Sequence, residues 1–400
     1  MKKKRVRKIQ TLYYHLLKPF GWLIAIFKYH YKVVNRYKLA KGERAVLLSN
    51  HQTDLDPVFV QLPFNRLFHT VATDNIFKKG FICRFLNALG AIPKRKGQVD
   101  LRSAMEMGRV IKEGGSLLLF PEGNRSYAEF QYFIANDIGK HLKRYQATII
   151  LFNLHGGFGK SPRFAHKNRK GPLYGEIKRI LKYDEYKDMS DEELFRIIKD
   201  NLKVYDSDSG HLYRSKRKAE YLERMLFACP ICKAKSSLVS KGNYVRCSSC
   251  GLEVQYTENL YLVSDNPDFK FNRLVDWYNF QKDWIKDLKI NDGETIFEDK
   301  KVVLSSVNPF EKKRKISKGD MSVTDKELII DKISFDLKDI EIASPVSGRK
   351  LVFTCLGQNY EVRGEPRFNA LKYVLLFNKL DTKMKADKID NYFSLEKEIS

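Results

Sequence analysis

A long apolar run is missing where one would anchor a chain. The stretch from Phe20 to Phe27 follows Lys18 and Pro19 and is closed by Lys28. It falls far short of the roughly twenty residues a membrane-spanning helix needs. Acidic residues are absent from positions 1–40, which hold eleven Lys or Arg. Cysteine is sparse: there are six, and four stand in a pattern typical of metal binding rather than disulfides, which fits a reducing cytosol. No segment repeats. These shortages argue against a helical membrane-spanning protein, a disulfide-stapled secreted domain and a solenoid.

What is present is a 400-residue chain, long enough for two or three domains, with 43% hydrophobic residues and a net charge of +25. That charge implies an anionic partner: nucleic acid, a membrane surface or a phosphorylated substrate. Residues 1–40 read as a basic amphipathic segment lying in a membrane interface. Tyr13, Tyr14, Trp22 and Phe27 would enter the headgroup boundary while lysines meet anionic lipid. A signal peptide fits less well, because no small-residue cleavage site follows and basic residues resume at Lys32, Arg36 and Lys38. A solvated basic tail with a core-packing helix is the bland alternative.

Residues 41–155 alternate between strand and helix patterns, predicting strands at 44–49, 68–73, 91–93, 116–120 and 147–153. Helices are expected from Phe81 to Leu89, ended by Gly90, and from Leu101 to Glu113, capped by Asp100 and ended by Gly114-Gly115. This is an α/β domain. Its strand ends hold the chemistry. Ala45-Val46-Leu47-Leu48 runs into Ser49-Asn50-His51-Gln52-Thr53-Asp54-Leu55-Asp56, so His51 stands where a buried strand turns. Asp56 can fold back to one imidazole nitrogen and leave the other free to accept a proton. Alone, such a pair is more often a surface or packing histidine. A second buried strand runs into Phe120-Pro121-Glu122-Gly123-Asn124-Arg125-Ser126, and Gly90-Ala91-Ile92-Pro93-Lys94-Arg95 lies between.

Asn50-His51 with Asp56 resembles the NHxxxxD motif of the 1-acylglycerol-3-phosphate acyltransferases, within the glycerolipid acyltransferase superfamily. Phe120 to Ser126 resembles that family's FPEGTRS motif with Asn124 in place of Thr, and Gly90-x-Ile92 with Arg95 is similar to its intervening arginine motif. The likeness covers roughly residues 40–175. It implies that His51 is a general base oriented by Asp56, and that transfer is direct and needs no catalytic metal. It also implies that Glu122, Gly123 and Arg125 bind the acceptor with Arg95 as a second phosphate contact, and that Asn50 and Ser126 support them. The donor would be acyl-CoA or acyl carrier protein and the acceptor a lysophospholipid, by default 1-acylglycerol-3-phosphate. Another lysolipid or glycerol-3-phosphate is the alternative acceptor. Ile149-Ile150-Leu151-Phe152 stands where the family carries Val-Pro-Val, without the proline. The protein would work at the cytoplasmic face of a membrane, peripheral or monotopic.

Residues 155–171 are basic and glycine-rich (His155, Lys160, Arg163, His166, Lys167, Arg169, Lys170), suiting either a phosphate-facing or a solvated loop. Residues 190–225 look like a charged helical connector. Cys229-Pro-Ile-Cys232 and Cys247-Ser-Ser-Cys250 lie fourteen residues apart and read as a four-thiolate structural zinc ribbon, a redox pair being the alternative. Cys83 and Cys355 read as core residues. An amphipathic helix is expected from Asn272 to Leu288. Short strands are expected at 301–306, 321–330, 333–336, 350–355 and 359–363, and a helix at 366–380, giving a mostly-β module similar to a PH or GRAM barrel. The resulting division is a membrane-interface segment (1–40), an acyltransferase domain (41–225), a zinc ribbon (226–256), a connector helix (257–290), a β module (291–383) and a polar tail (384–400). The ribbon is expected to be an appendage, so that a chain ending near residue 225 keeps transfer activity. A zinc-ribbon nucleic-acid-binding protein is the competing reading. It is disfavoured because the first basic block is interleaved with aromatic, lipid-suited residues and the ribbon is only mildly basic.

Overall fold

The computed structural model describes residues 4–73, 77, 80–94, 100–131, 134–307, 312–346 and 349–380. In the first sheet the strands are β1 (Tyr31–Val33), β2 (Ala45–Ser49), β3 (Phe68–Thr73), β4 (Ile92–Lys94), β5 (Ser116–Leu119), β6 (Thr148–His155) and β7 (Leu173–Leu181). Their order is β1-β7-β6-β2-β5-β3-β4. The stretch from β6 to β4 is parallel, while β7 runs antiparallel to β6. Successive side chains of a strand go to opposite faces, and β2 is buried on both. Val46 and Leu48 pack with Val110 and Ile111 of one helix and Leu194 and Ile198 of another. Ala45 and Leu47 pack on the other side with Val60, Phe64 and Phe68.

The helices are α1 (Lys8–Leu23), α2 (Asp56–Gln61), α3 (Phe81–Ala88), α4 (Leu101–Lys112), α5 (Ile138–Tyr145), α6 (Gly157–Lys160), α7 (Tyr183–Tyr186) and α8 (Asp191–Asn201). Asp100 caps α4 by accepting from Ser103 N at 3.1 Å, and Gly114 follows at φ +83°, as the expected stop requires. α1 contains Pro19 and continues into a wider π-helical turn over Ile24–Lys28.

Of the four aromatics expected at a headgroup boundary, Tyr13 and Phe27 are exposed as expected, while Tyr14 and Trp22 turn inward. Tyr14 is buried, its hydroxyl donating to the carbonyls of Gln61 and Phe64 at 2.9 and 3.0 Å. Trp22 is half-buried among Ala25, Tyr31 and Phe59, with Arg36 over its ring. Leu12, Leu16, Phe20, Leu23 and Ile24 face outward instead, with Phe27 at 74% exposure. No helix among the described residues is long and apolar enough to cross a membrane.

Of the expected connector, Asp191–Asn201 is α-helical and only Asp206–Ser209 and Leu222–Arg224 add short 3-10 turns. Residues 202–228 cross the molecule in extended chain and single turns, and their charges serve inside it. Asp206 accepts from Gly156 N and Gly159 N at 2.7 and 2.9 Å, and the Arg224 guanidinium donates to Phe164 O and Pro366 O at 2.8 and 2.7 Å. A second sheet of four antiparallel strands follows: β8 (Leu238–Lys241), β9 (Tyr244–Cys247), β10 (Glu253–Tyr256) and β11 (Leu262–Val263). It is followed by α9 (Leu274–Asp287), whose Gln281 accepts from Phe227 N and Ala228 N at 2.5 and 3.1 Å. The polar residue on the otherwise apolar face of α9 thus holds the chain entering the cysteine segment.

The third sheet holds β12 (Phe297–Ser306), β13 (Arg314–Val323), β14 (Glu327–Ile330), β15 (Ile333–Asp336), β16 (Ile340–Val346), β17 (Lys350–Cys355) and β18 (Gln358–Arg363), with α10 (Ala370–Leu380) against it. Its order is β15-β14-β13-β12-β18-β17-β16, all antiparallel. The expected strand 321–330 is two strands with a turn between, and β16 was not expected. Cys355 is buried as expected; Cys83 is only half-buried. The expected polar tail 384–400 lies outside the described residues. One apolar cluster runs from Phe130, Phe158 and Phe164 through Met225, Val254 and Tyr256 to Trp277, Val302 and Phe377, joining the surroundings of all three sheets.

Candidate active site

β2 and β5 are neighbouring parallel strands, with Leu48 opposite Leu119. Their carboxyl ends therefore open side by side, the position at which α/β sheets form a crevice. His51 follows one and Phe120 the other. The two rings stack at 4.4 Å, and Ser126 N donates to His51 O at 2.9 Å, tying the two turns together.

His51 Nδ1 lies 2.9 Å from Asp56 Oδ2. Asp56 begins α2 and is fully buried. It also accepts from Gln52 N at 2.6 Å, Thr53 N at 2.8 Å and Thr53 Oγ1 at 2.5 Å. Three of these donors converge on Oδ2 and one on Oδ1, which fixes the plane of the carboxylate. The His51 side chain keeps 21% exposure, so one edge of the ring reaches solvent while the other is held.

Asn50 spans to β6: its Nδ2 donates to Leu154 O at 2.9 Å and its Oδ1 accepts from Leu154 N at 2.8 Å. Ser126 Oγ donates to Phe130 O at 3.1 Å. Both residues brace the turns. Gly123, at φ +64°, takes the left-handed conformation that favours glycine. Glu122 is buried beside it. Arg125 crosses back to the histidine turn, with Nε donating to Gln52 O at 3.1 Å and Nη1 2.7 Å from Asp54 Oδ1. Asp54 is 85% exposed, so that ion pair sits at the surface. Arg95 lies outside the described residues. The strand before it, β4, is at the sheet's far edge, two places from β5.

The basic loop serves the fold rather than a ligand at most of its positions. Lys160 Nζ donates to Tyr29 O and Gly171 O at 2.8 and 3.0 Å, and buried Arg169 donates to Lys218 O at 2.6 Å. Arg163 lies 3.8 Å over the Tyr127 ring and donates to Arg125 O and Pro345 O at 3.1 and 2.7 Å. His155 stacks on Tyr174 at 4.6 Å. Sequence reasoning missed Gln52, whose Oε1 accepts from Gly157 N at 2.9 Å, and the buried carboxylates Glu129 and Asp206 behind it. Burial, with Asp206 near, pushes Glu129 up to about 8. Asp206 is raised by burial as well, against the pull of its two glycine amides. Those amides favour the ionised form at Asp206, while Glu129 has a backbone amide from Ser207. Position-specific signals for this pair are absent from the sequence, since both lie outside any motif.

The four ribbon cysteines converge. Cys229 and Cys250 sulfurs are 3.6 Å apart, Cys232 and Cys247 sulfurs 3.7 Å, and all four lie within 4.8 Å. A tetrahedron with zinc–sulfur bonds of about 2.3 Å has edges of about 3.8 Å, so the donor set fits that ion. The knuckles share one geometry: Lys233 N donates to Cys229 O at 3.1 Å and Gly251 N to Cys247 O at 3.0 Å, each from a left-handed residue. Against burial, which would raise it, the Ser237 hydroxyl and the amides of Cys250 and Ser249 bring the Cys247 thiol to about 6.

Residues 30–153 match the family model described as Acyltransferase. The match runs from the residue before β1 into β6, so the chain carries an acyltransferase domain over this stretch. Among known proteins it is similar to the chloroplastic 1-acyl-sn-glycerol-3-phosphate acyltransferase LPAT1 of Arabidopsis thaliana, 34% identical over 87 residues, 20% of this chain and 23% of that one. It is also similar to a CCA-adding enzyme of Ligilactobacillus salivarius, 25% identical over 243 residues, 58% of this chain and 55% of that one. The chain thus spans about a quarter and about half the length of these curated relatives. The solved LPA acyltransferase PlsC of Thermotoga maritima aligns over 50% of this chain and 95% of its own at 17% identity and a TM-score of 0.38.

Proposed function

We propose that this protein is a membrane-associated acyltransferase that moves an acyl chain from a thioester donor, acyl-CoA or acyl carrier protein, to the hydroxyl of a lysophospholipid, by default 1-acylglycerol-3-phosphate. The observation that carries the reading is His51 bound to fully buried Asp56 at the end of β2, stacked on the Phe120 turn of the neighbouring strand. Asp56 holds Nδ1 and leaves Nε2 to accept the acceptor's hydroxyl proton as its oxygen attacks the thioester carbonyl. The tetrahedral intermediate expels the donor thiolate, which takes the proton back from the imidazolium. Asp56 offsets the charge on the ring while the proton is there. Such a positioned base contributes about 10²–10⁴ in rate.

Arg125 suits an acceptor phosphate, which would exchange with exposed Asp54 for the guanidinium fork. Gly123 lets backbone amides approach, Glu122 orients the neighbouring groups, Arg95 is the second phosphate contact, and Asn50 and Ser126 keep the two turns in register. The exposed Leu12, Leu16, Phe20, Leu23, Ile24 and Phe27 among N-terminal cations support seating on an anionic membrane surface. Cys229, Cys232, Cys247 and Cys250 would hold one structural zinc ion. Four protein ligands close the coordination shell, so the metal supplies folding energy rather than a reaction site. The seven-stranded sheet with α10 is compatible with a PH- or GRAM-like module. Incubation with labelled acyl-CoA and a panel of lysolipids tests the function: an acylated lysophospholipid is expected. No acylated product across the panel, with salt-sensitive retention on nucleic acid, would favour the competing reading.

A further inference from the structure

The outer face of the third sheet carries an open cavity of about 490 Å³ lined by Lys301, Lys313, Lys315, Lys318, Arg349 and Arg363, with Glu365 as the one carboxylate among its described lining residues. The strand pattern builds it. Val302 and Leu304 of β12 enter the core, so Val303 and Ser305 face the cavity. Val303 stands opposite Lys318 of β13 on one side and Arg363 of β18 on the other. Lys315 stands opposite Ser305. Arg363 is also directly opposite Lys350 of β17, a pairing of like charges that destabilises a sheet.

Ordinary roles do not account for these cations. Lysines often protect edge strands, but β12 is the middle strand of seven, with β13 and β18 beside it. Glu361, nearly buried, takes Lys313 and Lys350 as ion-pair partners. Lys301, Lys315, Lys318, Arg349 and Arg363 have no ion-pair partner among the described residues. Five cations without an ion-pair partner among the described residues, around a concave, strand-built surface, break local preference where a rigid site would be placed.

We propose that this cavity binds a phosphate ester or diphosphate group carrying at least two negative charges. The volume suits a headgroup-sized ligand. The group could belong to a phospholipid headgroup or to a soluble phosphate; the lipid source rests on the membrane-associated reading above, the soluble source does not. It is a second anion site, on a different sheet from His51 and Arg125.

The test uses the full chain and no acyl donor, so its result is read separately from transfer activity. Binding is measured to inorganic pyrophosphate and to phosphatidylcholine vesicles containing either phosphatidic acid or phosphatidylglycerol at matched surface charge. The wild type should bind pyrophosphate, or prefer the phosphatidic acid vesicles, and Lys318→Glu with Arg363→Glu should lose that binding. The expected loss is about thirtyfold, from about fivefold for each cation removed. Lys318→Arg with Arg363→Lys should keep most of it. If the glutamate pair fails to unfold cooperatively, Lys318→Gln with Arg363→Gln reads the same loss. Vesicle preference competed by pyrophosphate assigns the site to lipid; pyrophosphate binding without vesicle preference assigns it to a soluble phosphate. A wild type that binds neither probe selectively, or folded variants that bind as well as the wild type, overturns the proposal.

Discussion

Ending the chain after residue 225 should destroy the fold rather than release a working domain. Phe130 stacks on Tyr278 at 4.8 Å, and Phe164 meets the edge of Tyr256 at 6.2 Å. Leu222 and Met225 are fully buried in the same cluster, beside residues of the ribbon and of α9. The cut uncovers these four side chains, each contributing about 1.5–3 kcal/mol when buried, or about 6–12 kcal/mol as an upper estimate. Domains of this kind are stable by only about 5–15 kcal/mol. The loss is thus comparable to the whole. Thermal unfolding and acyl transfer of the truncated chain, set beside the full one, are the assay. A soluble 1–225 chain with a cooperative transition and near-normal transfer would refute the reasoning and restore the expectation of an appended ribbon.

Three further outcomes are expected. Glu129, held up to about 8 by burial and Asp206, keeps in the folded chain a proton that the unfolded chain loses above its ordinary value near 4.5. Stability should therefore fall as pH rises between those values. Glu129→Gln should flatten that dependence; an unchanged slope of melting temperature against pH would count against it. Leu16→Glu with Phe20→Glu should weaken flotation with anionic vesicles severalfold while leaving the melting temperature nearly unchanged, since both side chains are exposed. Metal analysis of the purified protein should give one zinc per chain, and Cys247→Ser should lower both zinc content and melting temperature; a full-length protein without bound metal would remove the site.

The sheet around His51 was largely legible because its strands are short buried runs punctuated by glycine and polar turns. β2, β3, β4 and β5 lie within a residue or two of expectation. β7 was not, because Leu173, Gly175, Ile177 and Leu181 alternate with Glu176, Lys178 and Arg179, and a glycine replaces one apolar signal. β16 was hidden by Ser344-Pro345, which reads as a turn. The segment after Asn201 misled for a different reason: its charges suggested a solvated helix, whereas Asp206 and Arg224 are spent on backbone groups brought from distant loops. The cysteine spacing announced a four-sulfur cluster, but nothing local could announce that Tyr256 would cover Phe164. In the site, the pairing of His51 with Asp56 and the placing of both motifs at the ends of neighbouring strands were legible. Gln52, Thr53 and the Glu129–Asp206 pair act through contacts that exist only after folding.

The most direct measurement is the initial rate of acyl transfer from labelled acyl-CoA to the best lysophospholipid, compared between wild type and His51→Ala at matched folding. A base that takes the hydroxyl proton should be worth about 10²–10⁴, so the variant should fall at least that far below wild type with its melting temperature preserved. A folded His51→Ala protein retaining more than about a tenth of the wild-type rate would contradict the assignment of His51 as the base.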